Sequence, residues 1–366
     1  MGNPLRILFI VPRFATVNRG VETFAFELIS RLDSSQFAIT VLSGPHATIV
    51  PGIAFATAPL LVRERLAWLD RMPRLVRCLR PLGVGGASDL ETLSLLRNYQ
   101  KNLPDDTFDV VVPLGGTWTY RFARKVFPNA HIVSIGQAGP VLQDLRRSDV
   151  FVALTPHDEA RAQQMRPGMR VCVIPNGVDT DRFSPSASSA PLARTSGRTI
   201  LCAAALVPDK RHDLLFDAVM HLPENVTVRC VGAGPHRAVL ERHPLVRAGR
   251  VEFRQYSFAE MPEVYRNADV FSLASPDEAF GIVFVEAMAS GLPVVAHNGP
   301  RQQFVVGDGG VLLNVNHPVA YAGALKSVLG DAPSSTARKQ ASNFDWREVG
   351  AAYTKLFIDL RLGRLK

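Results

Sequence analysis

The chain comprises 366 residues, 47% hydrophobic and 20% charged, with 41 Lys and Arg against 33 Asp and Glu and a formal net charge of +8. That length exceeds a single ordinary core and suits two domains of about 150–180 residues each, while no apolar run approaches the roughly 18–20 residues that span a bilayer. The four cysteines, Cys78, Cys172, Cys202 and Cys230, lack the short spacing of a zinc or redox motif.

Leu5–Val11 is a short apolar run that closes at Pro12–Arg13 without a small-residue cleavage site, so it reads as a first buried strand and not an export signal. Arg6 stands where an N-myristoylation pattern wants Ser or Thr. The expected compartment is therefore the cytoplasm. Val21–Leu32 follows, with Val21, Phe24, Ala25, Leu28, Ile29 and Leu32 at helical spacing. Further strands are expected at Ala38–Leu42, Val110–Leu114, Ile132–Ile135, Val150–Leu154 and Val171–Ile174. Pro185–Gly197, rich in Ser, Ala and Pro, reads as a linker between domains.

A second series of strands is expected at Thr199–Ala204, Val226–Val231, Val251–Arg254, Val270–Leu273 and Val294–Ala296. Helices fall between them, including Asp213–Met220, Ala259–Asn267 and Phe280–Ala289, and an amphipathic segment from Trp346 to about Leu360 closes the chain. Short apolar runs alternating with amphipathic stretches are the signature of parallel α/β architecture. The expected fold class is α/β, with two Rossmann-like, doubly wound parallel-sheet domains whose strand C-termini face a ligand cleft.

The stretch with most chemical content runs from Ser275 to Val295. Glu278 follows a strand, and Glu286 stands eight residues later on a helix expected from Phe280, about 12 Å along its axis at 1.5 Å per residue. A nucleotide-sugar has two hydroxyl-bearing rings separated by a diphosphate of comparable length, and carboxylates accept strong hydrogen bonds from such rings. The free amides at the helix start, around Phe280, Gly281 and Ile282, suit the diphosphate, and Gly281 permits close backbone approach.

With these residues the chain resembles glycosyltransferase family 4, a group of retaining GT-B enzymes whose signature includes two glutamates with seven residues between them. The resemblance implies that Glu278 contacts the transferred sugar and Glu286 the nucleotide ribose. Val231-Gly-Ala-Gly-Pro235 resembles the family's turn beneath the nucleotide, with Gly232 and Gly234 as its glycines, and Pro175–Phe183 resembles the stretch leading into the second domain. Lys210 matches the lysine that neutralises the donor diphosphate, a cation placed where charge develops. The arginine usual five residues earlier is replaced by Ala205, and Arg211 is a candidate to compensate.

In the first half, Arg19-Gly-Val-Glu22 resembles the family's Gly-Gly-x-Glu loop, with Gly20 near the donor. Gln137, in Ile135–Gly139, stands where the family often has a His-Gly pair; it can hydrogen-bond a sugar hydroxyl but cannot titrate as a base. The implied organisation is an acceptor domain over 1–175, a donor domain over 176–345 with the linker at about 184–198, and a C-terminal helix over 346–366 that crosses back to the first domain. The implied activity is metal-independent, retaining transfer of a sugar from a UDP- or GDP-sugar to an acceptor hydroxyl, with no other cofactor. Two alternatives stand beside it: a catalytically silent homologue that scaffolds a partner, and an epimerase or hydrolase on the same fold.

Charge is not evenly spread. Residues 1–175 carry 20 basic against 14 acidic side chains, an excess of +6, and the remainder carry 21 against 19. Pro59–Leu82 holds Arg63, Arg65, Arg71, Arg74, Arg77 and Arg80 against Glu64 and Asp70, interleaved with apolar residues including Trp68. A basic amphipathic helix pair broken at Pro73 fits contact with an anionic membrane face. No nucleic-acid module is recognisable, so nucleic acid is not an expected partner.

Overall fold

The computed structural model describes residues 3–14, 20–45, 50–61, 63–70, 72–79, 84, 86–99, 107–185, 197–330 and 333–364. It divides into two compact units, one made of Met1–Ile174 with Gly350–Lys366 and the other of Pro175–Val349. The first division falls at Ile174–Pro175, ahead of the Pro185–Gly197 stretch read as a linker, of which 186–196 lie outside the described residues.

The first unit is built on a parallel sheet of β1 (Leu5–Ile10), β2 (Phe37–Ser43), β3 (Ala54–Thr57), β4 (Val110–Pro113), β5 (His131–Ile135), β6 (Val150–Ala153) and β7 (Arg170–Val173), in the order β3-β2-β1-β4-β5-β6-β7. Strand β1 is interior, with Ile7 in register with Ile39 on one side and Val110 on the other. Helices cover both faces, so β1 is apolar throughout its middle and Ile7, Leu8, Phe9 and Ile10 are wholly buried. The final helix, Trp346–Arg361, supplies part of that cover from Gly350 onward. Its Phe357 ring lies edge-on to Phe9 and Phe37, and Tyr353 lies 5.8 Å from Phe24.

The second unit carries β8 (Arg198–Ala203), β9 (Val226–Val231), β10 (Val251–Arg254), β11 (Val270–Leu273), β12 (Val294–His297) and β13 (Gly310–Leu313), ordered β10-β9-β8-β11-β12-β13. One local device recurs in both sheets. Asp109, Asp149 and Asp269 each precede a strand and accept the amide hydrogen of a neighbouring strand, from Arg6, Ile132 and Thr199 at 2.7–2.8 Å. The carboxylates thus satisfy donors at strand starts that the ladder leaves open. Edge strands β3 and β13 were not expected from the sequence. Of the four cysteines, Cys202 and Cys230 are buried opposite each other on β8 and β9, Cys172 is half-buried, and Cys78 is exposed.

The basic segment forms two short helices, Arg63–Asp70 and Pro73–Leu79, with the break at the expected proline. Leu69 and Val76 are buried, while Leu61, Trp68 and Met72 are about half exposed beside exposed Arg65, Arg74 and Arg77. Arg71, Arg80 and residues 81–83 lie outside the described residues. No helix among the described residues is long and apolar enough to cross a membrane.

Candidate functional site

In the second sheet, β8 and β11 are neighbours although β9, β10 and their connecting helices separate them in the chain, and each is followed by a loop at its C-terminal end. Such a reversal of strand order is where doubly wound sheets hold ligands. The loop after β8 carries Lys210 and the loop after β11 carries Glu278. The strand order therefore brings together two residues distant in the chain. Lys210 Nζ donates to Glu278 Oε1 at 2.5 Å, with the side chains 25% and 12% exposed.

The β8 loop owes its path to glycines just past the end of the adjacent strand, β9. A Cβ on Gly232 would lie 2.1 Å from the Ala204 carbonyl oxygen, and one on Gly234 would lie 2.2 Å from that of Leu206. The amides of Leu206 and His236 bond the carbonyls of Ala233 and Leu206, both at 3.0 Å. Gly232 and Gly234 therefore permit backbone-to-backbone packing under the Lys210 loop. At its end Arg211 adopts a left-handed conformation (φ 49°), alone among the described non-glycine residues. Its guanidinium turns to Asp213 at 3.2 Å, away from the Lys210–Glu278 pair in its bonding. Ala205 contributes no charge.

The glutamate-bearing helix begins two residues later than expected, at Ile282, and ends at Ala289. Gly281 sits before it at φ 80°, where a Cβ would meet the Phe284 ring at 2.4 Å. Its glycine is thus required by the left-handed turn and by packing. Phe280 lies outside the helix, is buried, and stacks edge-on against Phe344 at 5.5 Å. Glu278 and Glu286 are consequently not on one helix, and the 12 Å axial separation expected for them does not apply. Glu286 is the fifth helical residue, one turn above the first amides of Ile282 and Val283, which lack intrahelical partners by position.

Glu286 is buried and accepts a 2.7 Å hydrogen bond from the phenol of Tyr265. Burial, with the adjacent carboxylate, pushes the Tyr265 hydroxyl well above its ordinary pKa, so it remains a donor. Sequence reasoning missed Tyr265, whose place in helix Met261–Arg266 reads as an ordinary core aromatic.

In the first unit, Gln137 is half-buried just past β5, with its backbone N–H donating to the Ile135 carbonyl at 2.8 Å. The same end of that sheet carries Asp144, a buried carboxylate whose pKa burial raises. Gly20 opens helix Gly20–Ile29, is exposed, and has no atom within 4 Å of a Cβ built on it. Packing does not demand its glycine. Arg19 lies outside the described residues. Among the described residues no group of three His, Cys, Asp or Glu side chains is arranged to hold a metal ion.

Comparison with known proteins matches residues 197–331 to the family described as glycosyl transferases group 1. A GDP-mannose-dependent α-(1-6)-phosphatidylinositol monomannoside mannosyltransferase of Mycolicibacterium smegmatis is 30% identical over 279 residues, covering 66% of this chain and 72% of the relative. A D-inositol 3-phosphate glycosyltransferase of Xylanimonas cellulosilytica is 32% identical over 212 residues, and there the chain spans about half the relative's length, 51%. Among solved structures, Anabaena HepE in complex with UDP-glucose shares the fold with a TM-score of 0.69 at 17% identity, covering 97% of this chain and 100% of that one. Sequence and architecture agree: the chain belongs to the group 1 glycosyl transferases, with two Rossmann-like units of the GT-B class.

Proposed function

We propose that the chain transfers a sugar from a nucleoside diphosphate sugar, UDP- or GDP-linked, to an acceptor hydroxyl, with retention and without a metal. The observation that carries this reading is the Lys210–Glu278 pair beside a helix start, with Glu286 one turn further on. The GDP-mannose dependence named for the mycobacterial relative and the UDP-glucose held by HepE support the donor class. The second unit holds the donor and the first the acceptor, with Gln137 in the loop after β5 and Gly20 at the start of helix Gly20–Ile29.

Donor binding in this scheme is an exchange. The diphosphate draws Lys210 away from Glu278, and the released carboxylate accepts hydrogen bonds from the sugar. The helix-start amides of Ile282 and Val283 take further phosphate oxygens, and Glu286, steadied by Tyr265, accepts from the ribose. As the sugar–phosphate bond breaks, Lys210 offsets the charge gathering on the leaving diphosphate. The acceptor hydroxyl attacks from the face the diphosphate leaves, and a phosphate oxygen takes its proton. No side chain is then needed as a general base.

A second part of the proposal concerns the acceptor. The half-exposed Trp68, Met72 and Leu61 beside Arg65, Arg74 and Arg77 form an apolar and cationic surface suited to anionic lipid. An acceptor anchored in a membrane face fits that surface, on the cytoplasmic side.

The test is a thermal-shift panel of UDP, GDP, ADP and TDP with their sugars, followed by product analysis by NMR with and without chelator. A ligand at a hundredfold its dissociation constant stabilises by about 2.7 kcal/mol. Stabilisation by one nucleotide family, and an anomeric configuration retained in product, are expected. Binding by none of them, or an epimerised or hydrolysed sugar in place of transfer, would sink the proposal.

A further inference from the structure

The loop bearing Glu278 has little of its own to hold it. Among the described residues, 275–280 make no backbone–backbone hydrogen bond. Its fixed points come from outside. Phe280 is anchored on Phe344 at one end. In the middle, helix Pro300–Val306, which follows β12, reaches across with two polar side chains. Gln302 Nε2 donates to the carbonyls of Ser275 and Pro276 at 3.4 and 3.3 Å, and the Arg301 guanidinium bonds the Asp277 carboxylate.

These are costly side chains to bury. Gln302 is 2% exposed and Arg301 is 8% exposed. A buried amide or guanidinium destabilises the fold unless its hydrogen bonds are met. Gly299 makes room for the arrangement, since a Cβ there would lie 2.5 Å from Gln302 Oε1. Asp277 is 84% exposed, so its bond alone is a weak tether. The Gln302 amide, shared between the main-chain carbonyls two and three residues before Glu278, is buried and so is not screened by solvent.

We propose that Gln302, assisted by Arg301, is a positioning residue that aims Glu278 at Lys210 and at the donor sugar. The second half of this rests on the proposed sugar contact of Glu278; the first half does not. Two readouts therefore separate them.

The first is trace acetylation of Lys210 with acetic anhydride, measured by mass spectrometry against the exposed Lys326 and Lys339 of the same unit. Gln302→Leu and Arg301→Gln should raise Lys210 labelling severalfold, towards the level of Glu278→Gln, and Arg301→Lys should restore part of the protection. The second is calorimetric titration with UDP against UDP-glucose and GDP against GDP-mannose. Affinity for the bare diphosphate should be kept or rise, while the added affinity conferred by the sugar falls about tenfold, the scale of one hydrogen bond lost. Should Gln302→Leu fail to fold, Gln302→Met keeps the unbranched shape and removes the donor. Wild-type labelling of Lys210 in these variants, with raised labelling in Glu278→Gln, overturns the positioning role, as does equal loss of diphosphate and sugar-nucleotide affinity. If Glu278→Gln leaves the sugar's contribution intact, the sugar reading fails, and labelling alone decides whether Gln302 holds the pair together.

Discussion

Lys210 and Glu278, 68 residues apart in the chain, share a 2.5 Å hydrogen-bonded ion pair at the C-terminal ends of adjacent strands. Each is the other's counter-ion before any donor arrives, so neither is left half-buried and unpaired, a state that is expensive in low dielectric. The pairing also means that a diphosphate and Glu278 compete for one ammonium. Binding a nucleotide without its sugar frees the carboxylate with nothing to accept from. Binding the whole donor gives both groups a partner.

That competition has a measurable sign. Glu278→Gln removes the competitor for Lys210, so affinity for UDP or GDP should rise a few-fold in titration calorimetry while turnover collapses. Lys210→Ala should lower turnover by about a hundredfold, the usual effect of deleting one electrostatic donor at a reacting centre. Weaker diphosphate binding in Glu278→Gln would show that Glu278 supports the phosphate site instead of competing with it.

Glu286 gives a separate handle on the nucleotide. Glu286→Ala should weaken nucleoside diphosphate binding by about 1.5–3 kcal/mol, the scale of a hydrogen bond to a charged group. It also strands the buried Tyr265 phenol, so the thermal midpoint should fall. Tyr265→Phe leaves the carboxylate in place and should cost less nucleotide affinity than Glu286→Ala. Equal affinity losses in the two variants would point to a collapsed pocket and count against a direct ribose contact.

Much of this was readable from the chain because parallel strands buried on both faces are continuous apolar runs, as at Leu5–Ile10 and Val270–Leu273. The two missed strands, Ala54–Thr57 and Gly310–Leu313, are edges of their sheets and only partly buried, so they lack that signal. The helix start at Ile282 was misplaced because Phe280 and Gly281 continue the apolar pattern. Only the backbone shows that Gly281 is left-handed there. The two glutamates are legible from their spacing after a strand and into a helix, and Lys210 through motif resemblance. Tyr265, Arg301 and Gln302 are not, because their roles depend on which strands are neighbours. No spacing in one chain encodes that.

The left-handed Arg211 sits directly beside Lys210 and bears strain that glycine would not, on the order of 1 kcal/mol. Arg211→Gly should therefore match or exceed the wild type in thermal stability, despite losing its exposed pairing with Asp213. Arg211→Val, with a β-branched side chain, should fall below it. Lower stability in Arg211→Gly than in Arg211→Val would mean that the guanidinium, and not the backbone, dominates at this position.

Asp345 ties together two stretches of the second unit, and its strength should depend on pH. It pairs in a backbone bridge with Val178 and accepts from the Arg347 amide, from its guanidinium at 2.8 and 2.9 Å, and from the Thr180 hydroxyl. The Arg347 bonds in particular hold its carboxyl well below the usual carboxylate range. A depressed carboxyl pKa stabilises the fold above the unfolded value and loses that contribution as pH falls through the folded one. Asp345→Asn should thus lower stability by about 1 kcal/mol at pH 7, given the solvent-exposed Arg347. The gap to wild type should shrink below pH 4. Melts at pH 7, 5 and 3 check it, and a gap that is constant or widens in acid would show that the ion pair is not its source.

The arginine-bearing helices near the start of the chain are the surface on which the membrane part of the proposed function stands. Leu69 and Val76 face the core, which leaves Trp68 and Met72 outside among Arg65, Arg74 and Arg77. Exposed tryptophan beside arginine suits the headgroup zone, where the ring meets acyl chains and the guanidinium meets phosphate. Each arginine near an anionic bilayer contributes about 1 kcal/mol, and the attraction fades beyond a Debye length of about 8–10 Å. Changing Arg65, Arg74 and Arg77 together to Gln should reduce binding to vesicles rich in phosphatidylserine or phosphatidylglycerol by about 3 kcal/mol. Wild-type binding should weaken as salt rises and be absent on phosphatidylcholine alone. Trp68→Ala should weaken binding at every salt concentration, because burying its ring is not screened. Affinity for UDP or GDP, measured on the same variants, should not change, since the donor groups belong to the other unit. Wild-type protein that stays in the supernatant with anionic vesicles at low salt would end the membrane reading, and the arginines would then be a solvated face.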